Sequence, residues 1–424
     1  MPNPNLYGAN RKIEGYVQST KVARPLAFKQ FFGDVNTTWA DQVSMDIEAN
    51  DINVMGQFAD PDVEVFRIQT PGMGTQDLSF GYSKEFVGSP NYSEISQRML
   101  AEQPGAVTLD KARLARAYAE NMQWQFRKAY ERFENLYELT RAKILLNGKL
   151  TTSAITNAGQ HREVTWDMGR TRLTNTTNTQ TQRNQNYDSV IGKNGDVVPE
   201  VDLTTLQANT NDTTAGGMSW DQLSSAGAAI ADANLTKGKV SPVAHVKRML
   251  TIAARRAGTE AIFMSADAYS WFIADLMTNY KDAANTLYDR SPNSTIMLDI
   301  IPYVKENTGL QFRMMFRSTR GDIPIYTYDG FYVDRVTGQR ENFMPNGYVL
   351  LVPPREYGAH RFGKIQHLKA MWAAQQFWVN SWTNERTGVE AFEIHTNFAT
   401  YHTDIDSVVS WKVCSTGNDK YVAY

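Results

Sequence analysis

Few residues in this chain have the types and spacings that could do chemistry. Its six histidines are His161, His245, His360, His367, His395 and His402. The tightest grouping with carboxylates is His402-x-Asp404-x-Asp406. On a strand alternate side chains share a face, so these three could converge on a metal ion. In a loop they are ordinary polar groups at a chain reversal, and the sequence assigns no metal centre. A single cysteine, Cys414, excludes a CxxC site and a disulfide framework, and it reads as a structural thiol. No GxGxxG, GxxxxGK[ST], HExxH or GxSxG occurs. The expectation is a protein with no catalytic residues, no cofactor and no enzymatic activity.

The remaining chemistry is that of contact. Arg355 to Trp382 interleaves Arg361, Lys364 and Lys369 with Tyr357, Phe362, Trp372, Phe377, Trp378 and Trp382. Such a mixture can stack bases, form a protein–protein hot spot or pack a core. Lys and Arg total 43 against 45 Asp and Glu, a net charge of −2. That balance excludes a strongly basic nucleic-acid wrapper, so the segment reads first as a protein interface. Aromatic residues make up 11%, with 9 Trp and 20 Tyr, which leans the same way.

The 424 residues allow two or three domains, and a hydrophobic content of 42% supports a sizeable core. No stretch approaches 18 apolar residues and the first thirty are polar, so neither a membrane span nor a signal peptide is expected. A reducing cytoplasm is the simplest site of folding for so few cysteines.

Elements must position these groups. Residues 1–35 read as an irregular basic arm. Short alternating runs, Val43/Met45/Ile47 and Val63/Val65/Ile68, flank a Gly-rich excursion. Thr108 can cap a helix from Leu109 to Asn147, stopped by Gly148. Its apolar stripe is Leu114, Tyr118, Met122, Phe126, Ala129, Phe133, Leu136 and Ile144, with Glu134, Glu138 and Arg141 among the polar residues between. At 1.5 Å per residue it reaches roughly 58 Å, long enough to be the spine of a flat body. Strands follow within 155–170. The tract TNTTNTQTQRNQN (174–186) sits in a polar insertion, 173–217, that cannot bury a core. Helices are expected over 220–234 and 242–257. A strand at 261–264 precedes a helix capped by Ser265. Further strands fall at 311–316, 323–328, 347–352 and 409–413, with Asp329-Gly330 as a hairpin signature.

Four segments carry a family likeness: RAKILLNG (141–148), VTWDMG (164–169), GDIPIYTYDGFYVD (321–334) and FMPNGYVLLV (343–352). In order and spacing they resemble the major capsid proteins of tailed bacteriophages, nearest the lambda-type family called major capsid protein E. The likeness spans about 40–415, and the Thr/Asn/Gln insertion departs from it. It implies an α+β chain with the Hong Kong 97-type fold. Residues 1–56 would be the N-terminal arm and 57–105 an extended β loop. Residues 106–235 with 390–424 would form a peripheral domain around the spine helix, and 236–389 an axial domain.

The resemblance further implies a homo-oligomer of hexamers and pentamers closing an icosahedral shell around double-stranded DNA. Scaffolding, portal and cement proteins would be partners, and packaged DNA a weak, non-specific contact. The place would be the virion head, assembled in the host cytoplasm. Interface candidates are Arg11, Lys12 and Arg24 in the arm, Phe80, Tyr82, Lys84 and Phe86 in the loop, and Trp372, Trp378 and Trp382. Some relatives form isopeptide cross-links; Lys84 lies in the expected loop, but nothing identifies an Asn partner. The alternatives are an encapsulin-like shell and an enzyme with no recognisable motif.

Overall fold

The structure, a computed structural model, describes residues 27–40, 42–48, 73–87, 111–155, 161–168, 200–202, 219–221, 242–254, 257–279, 309–318, 321–334, 338–383 and 390–414. The polar tract 174–186, the run Val63/Val65/Ile68 and the basic residues Arg11, Lys12 and Arg24 lie outside them. The first elements are β1 (Asp34–Thr37), β2 (Gln42–Glu48), β3 (Met73–Ser79), β4 (Gly81–Val87), α1 (Lys111–Asn147), β5 (Lys149–Ile155), β6 (His161–Asp167) and β7 (Glu200–Asp202). Then come α2 (Pro242–Ala253), β8 (Ala261–Met264), α3 (Ala266–Asn279), β9 (Leu310–Ser318), β10 (Gly321–Tyr328), β11 (Phe331–Val333) and β12 (Arg340–Asn342). The chain closes through β13 (Tyr348–Val352), β14 (Gly358–Phe362), β15 (Trp378–Thr383), β16 (Glu390–His402) and β17 (Val409–Lys412).

Two sheets and one helix organise the molecule. The 13-residue β16 is the axis of a five-stranded sheet. Along one edge it pairs with β15 and then β14, along the other with β4, all antiparallel; β1 adds to β14 in parallel. A six-stranded sheet runs β7-β17-β13-β8-β10-β9. Every residue of β8 is buried, because this sheet is covered on both faces. Ile262, Met264, Val349, Leu351 and Trp411 pack with α2 and α3. Phe263, Leu350 and Val352 join the other core, which α1 shares with the five-stranded sheet. The layers are thus α2/α3, six-stranded sheet, α1, five-stranded sheet.

Helix α1 has 37 residues without Pro or Gly, about 56 Å at the standard rise. Gly148, at φ 60°, stops it, and its N–H donates to Ile144 O at 2.7 Å. Met122, Phe126, Ala129, Phe133 and Ile144 are buried as the stripe predicts, and Tyr137 joins them. Phe126 meets Phe392 edge-on at 5.5 Å, and Tyr137 meets Phe398 at 4.7 Å. The Tyr137 hydroxyl pairs with Thr396 Oγ1 at 2.7 Å, and Thr140 Oγ1 with Thr400 Oγ1 at 3.2 Å. Ser265 caps α3 as expected, accepting from Ala268 N–H at 3.3 Å.

The structure differs from the sequence reading in several places. Glu200–Asp202, inside the expected polar insertion, is strand β7 of the six-stranded sheet, paired in parallel with β17. Glu134, Glu138 and Arg141 are buried, because α1 is covered on both sides and not along one stripe. The last part of the expected arm is packed: Phe28, Phe31 and Phe32 are core residues and Asp34–Thr37 is a strand. The paired excursion starts at Gln42, where β2 meets β3 antiparallel, and Lys84 lies in the five-stranded sheet. Asp329-Gly330 makes no hairpin between its flanking strands: β10 pairs with β8 and β9, and β11 with β12. Gly330 serves close approach instead, since a Cβ there would lie 2.6 Å from the Tyr328 ring. Finally, the division at 235 and 389 does not follow the sheets. β17 belongs with β8 and β13, while β14 and β15 belong with β16.

Phe133 is 1% exposed in the seam of α1 and the sheet. Phe133→Ala should cost about 3–5 kcal/mol in chemical denaturation. Phe133→Asp should yield no soluble folded chain, because it buries an unpaired charge.

Candidate functional site

Phe392, Ile394, Thr396, Phe398 and Thr400 of β16 face α1, so Glu393, His395 and Asn397 face the other way. Register carries that outer face across the sheet. Tyr82, Lys84 and Phe86 of β4 pair with Asn397, His395 and Glu393, and Trp378 and Trp382 of β15 pair with His395 and Ala391. Five interface candidates separated by almost 300 positions therefore share one surface. Phe86 is 60% exposed there, 6.0 Å ring to ring from Trp382.

The segment joining β14 to β15 lies over one end of this surface. His367 packs 4.4 Å from Trp378 and 5.5 Å from His395. Trp372 and Met371 stand at the turn with left-handed backbones, φ 54° and 51°. For residues with a Cβ that conformation costs roughly 1 kcal/mol each. Both rings and chains face solvent: Met371 is 77% and Trp372 49% exposed. Phe80 is half-buried beside Gly363, where a Cβ would come within 2.9 Å of its ring.

One hydrogen bond and one close polar contact link three side chains on the face. Burial holds His395 down to about 4, with Glu393 opposing, so the imidazole is neutral. A neutral ring has one donor and one acceptor. The Tyr82 hydroxyl hydrogen-bonds Nδ1 at 2.6 Å, and Nε2, which has no hydrogen-bond partner, lies 3.3 Å from Glu393 Oε2. Burial and Glu393 push the Tyr82 phenol up to about 12. A phenol so raised stays protonated, so these contacts fix ring positions and do not make a nucleophile.

Of the metal candidates, His402 and Asp404 have described side chains. His402 ends β16 with its ring stacked on Tyr357 at 6.2 Å, and the chain then enters a turn at Asp404. Among the described residues no three His, Cys, Asp or Glu side chains form a group that could hold a metal ion. Cys414 is buried, and burial raises its thiol far above the usual range. Among the described helices none is long and apolar enough to cross a membrane. Sequence reasoning missed His367, His395 and Glu393. The alternation Glu393/His395/Asn397 was readable, but the strands beside it were not.

No protein-family model matches the sequence. A search of curated proteins finds no relative. Among solved structures, a protein assigned as a prophage capsid protein from Escherichia coli CFT073 aligns over 96% of this chain and 99% of its own, with TM-score 0.55 and 12% identity. The chain has that capsid-protein fold. A phage-related protein from Bordetella bronchiseptica RB50 aligns over 96% and 97%, at TM-score 0.43 and 11% identity. The capsid of Ralstonia phage GP4 aligns over 95% and 94%, at 0.40 and 10%. The assignment of fold rests on the first alone.

Three of the four buried histidines among the described residues oppose folding at acid pH. His395 is held down to about 4, His245 to about 3 and His360 well below its usual value, each chiefly by burial. Unfolded histidines titrate near 6.5, so between 6.5 and 4 the unfolded chain binds protons that the folded chain refuses. Glu138 is shifted upward and offsets part of this. Denaturation midpoints should fall as pH drops through that window. The slope is at most about 1.4 kcal/mol per pH unit per histidine.

Proposed function

We propose that this chain is the major capsid protein of a tailed bacteriophage. Copies assemble as hexamers and pentamers into an icosahedral head around double-stranded DNA. The observation that carries the reading is the end-to-end fold likeness to a protein assigned as a prophage capsid protein, over 96% of this chain and 99% of that one. The shape supports it as well. A helix of about 56 Å lying between two sheets can brace a body wide enough to tile a surface. Tiling demands self-complementary surfaces repeated by symmetry.

In this reading the architecture is of Hong Kong 97 type. The five-stranded sheet with α1 is the peripheral domain, and the six-stranded sheet with α2 and α3 is the axial domain. The paired strands β2 and β3 begin the extended loop. In the expected arm, residues 1–56, Arg11, Lys12 and Arg24 are of types that suit contact with a neighbour or with DNA phosphates. The outer face of Tyr82, Lys84, Phe86, Trp378 and Trp382, with Phe80 and Trp372 at its margins, is a contact between copies. Scaffolding, portal and cement proteins are the further partners, and the virion head is the destination of a chain assembled in the host cytoplasm.

Light scattering on the expressed chain tests this reading. Particles far larger than 47.8 kDa support it. A lasting monomer contradicts it, and particles holding a protein cargo would point to an encapsulin-like shell. Phe86→Ala with Trp382→Ala should leave the unfolding free energy within about 1 kcal/mol, because Phe86 is exposed and Trp382 partly so. The same pair should weaken assembly by about 2 kcal/mol or more per contact, read as a higher critical concentration.

A further inference from the structure

We propose that Glu138 is a proton-operated latch that holds the root of the N-terminal arm in the seam between α1 and the six-stranded sheet. Three elements meet there. Phe28 and Phe31 of the root insert their rings 5.3 Å and 5.4 Å from that of Phe263 on β8. Phe28 also meets Tyr328 of β10 edge-on at 5.3 Å. A single carboxylate oxygen ties the three together. Glu138 Oε1 accepts from the Phe28 N–H at 2.8 Å and from the Tyr328 hydroxyl at 3.3 Å.

The other half of the site is loosely made. Glu138 Oε2 lies 3.8 Å from Arg141 Nη1, and neither atom has a hydrogen-bond partner. Both side chains are buried, at 0% and 2% exposure. A buried ion pair held so loosely recovers little of its desolvation cost. Around it stand Glu134, Tyr130 and Tyr137 on α1, Lys29 in the root, Tyr328 on β10 and His360 on β14. Glu134 is occupied by the Tyr130 hydroxyl at 2.9 Å and by Lys29 Nζ at 3.4 Å. His360 is kept neutral by burial, Arg141 and Lys29, and burial raises the phenols of Tyr130 and Tyr137. Burial lifts the Glu138 carboxyl to about 7, with Arg141, the Phe28 amide and Tyr328 opposing.

Released into water, Glu138 returns toward the ordinary 4.5. The docked root therefore favours the neutral carboxyl. Docking is firmest below 4.5 and loosens as pH rises through 7. β1 keeps its own pairing with β14, so the opening is confined to the residues before Asp34. The latch belongs to one chain and does not depend on the shell reading.

Hydrogen exchange of the full-length chain tests it, using protection factors so that intrinsic pH effects divide out. Between pH 5.5 and 8.5 the peptide 27–33 should lose on the order of tenfold in protection, while 261–264 holds its own. Glu138→Gln keeps the Oε1 acceptor and cannot ionise, so its root should stay protected at both pH values. Tyr328→Phe removes one donor; its root should be less protected at both and still respond to pH. Equal wild-type protection at the two pH values overturns the proposal. So does a Glu138→Gln root that opens like the wild type, or loss at 261–264 in step with the root. If Glu138→Gln fails to fold, wild type against Tyr328→Phe decides.

Discussion

The contact between α1 and β16 is the constraint on which the rest of the molecule depends. Phe126, Tyr130, Phe133 and Tyr137 lie along the helix, and Phe392, Phe377 and Phe398 meet them from the sheet. Aromatic rings bury large areas each, and edge-to-face pairs add to that burial. The helix is about 56 Å long and the 13-residue strand roughly 43 Å, so the seam runs nearly the width of the body. Strands β14, β15 and β4 hang on β16, and their alternation decides what faces outward. That alternation turns Tyr82, Phe86, Trp378 and Trp382 to the outer face.

The same helix is also the floor of the second layer. The arm root and the inner face of the six-stranded sheet lie against it, which is why Glu134, Glu138 and Arg141 are buried. Buried charges are tolerated where hydrogen bonds and opposite charge meet them, and they are a poor source of stability. Here they connect three elements that hydrophobic contact alone would let slide. Directional polar contacts hold the two sheets in fixed relation.

Much of this was legible in the amino-acid order. Helix α1 showed itself by an uninterrupted stripe with Gly148 at its end, β8 and α3 by a short apolar run before Ser265. These are local signals, set by propensity and capping. What escaped was pairing between distant segments. Nothing local says that Asp34–Thr37 lies parallel to Gly358–Phe362, or that Val409–Lys412 enters the sheet of Ala261–Met264. The Asp329-Gly330 pair was read as a hairpin because that dipeptide favours one; packing against Tyr328 is what placed the glycine. The burial of Glu138 was not legible because a stripe shows one buried face and cannot announce a second. The aromatic candidates were identified by type. Only the register of β4, β15 and β16 put them on one surface, and His395 with Glu393 entered through that register.

The central claim is that this polypeptide closes a container by repeating one contact with copies of itself. Electron microscopy of the purified chain, over a range of salt and protein concentrations, addresses it directly. The account predicts ring-shaped capsomers or closed hollow shells of uniform size. Fields of isolated single copies under every condition would contradict it.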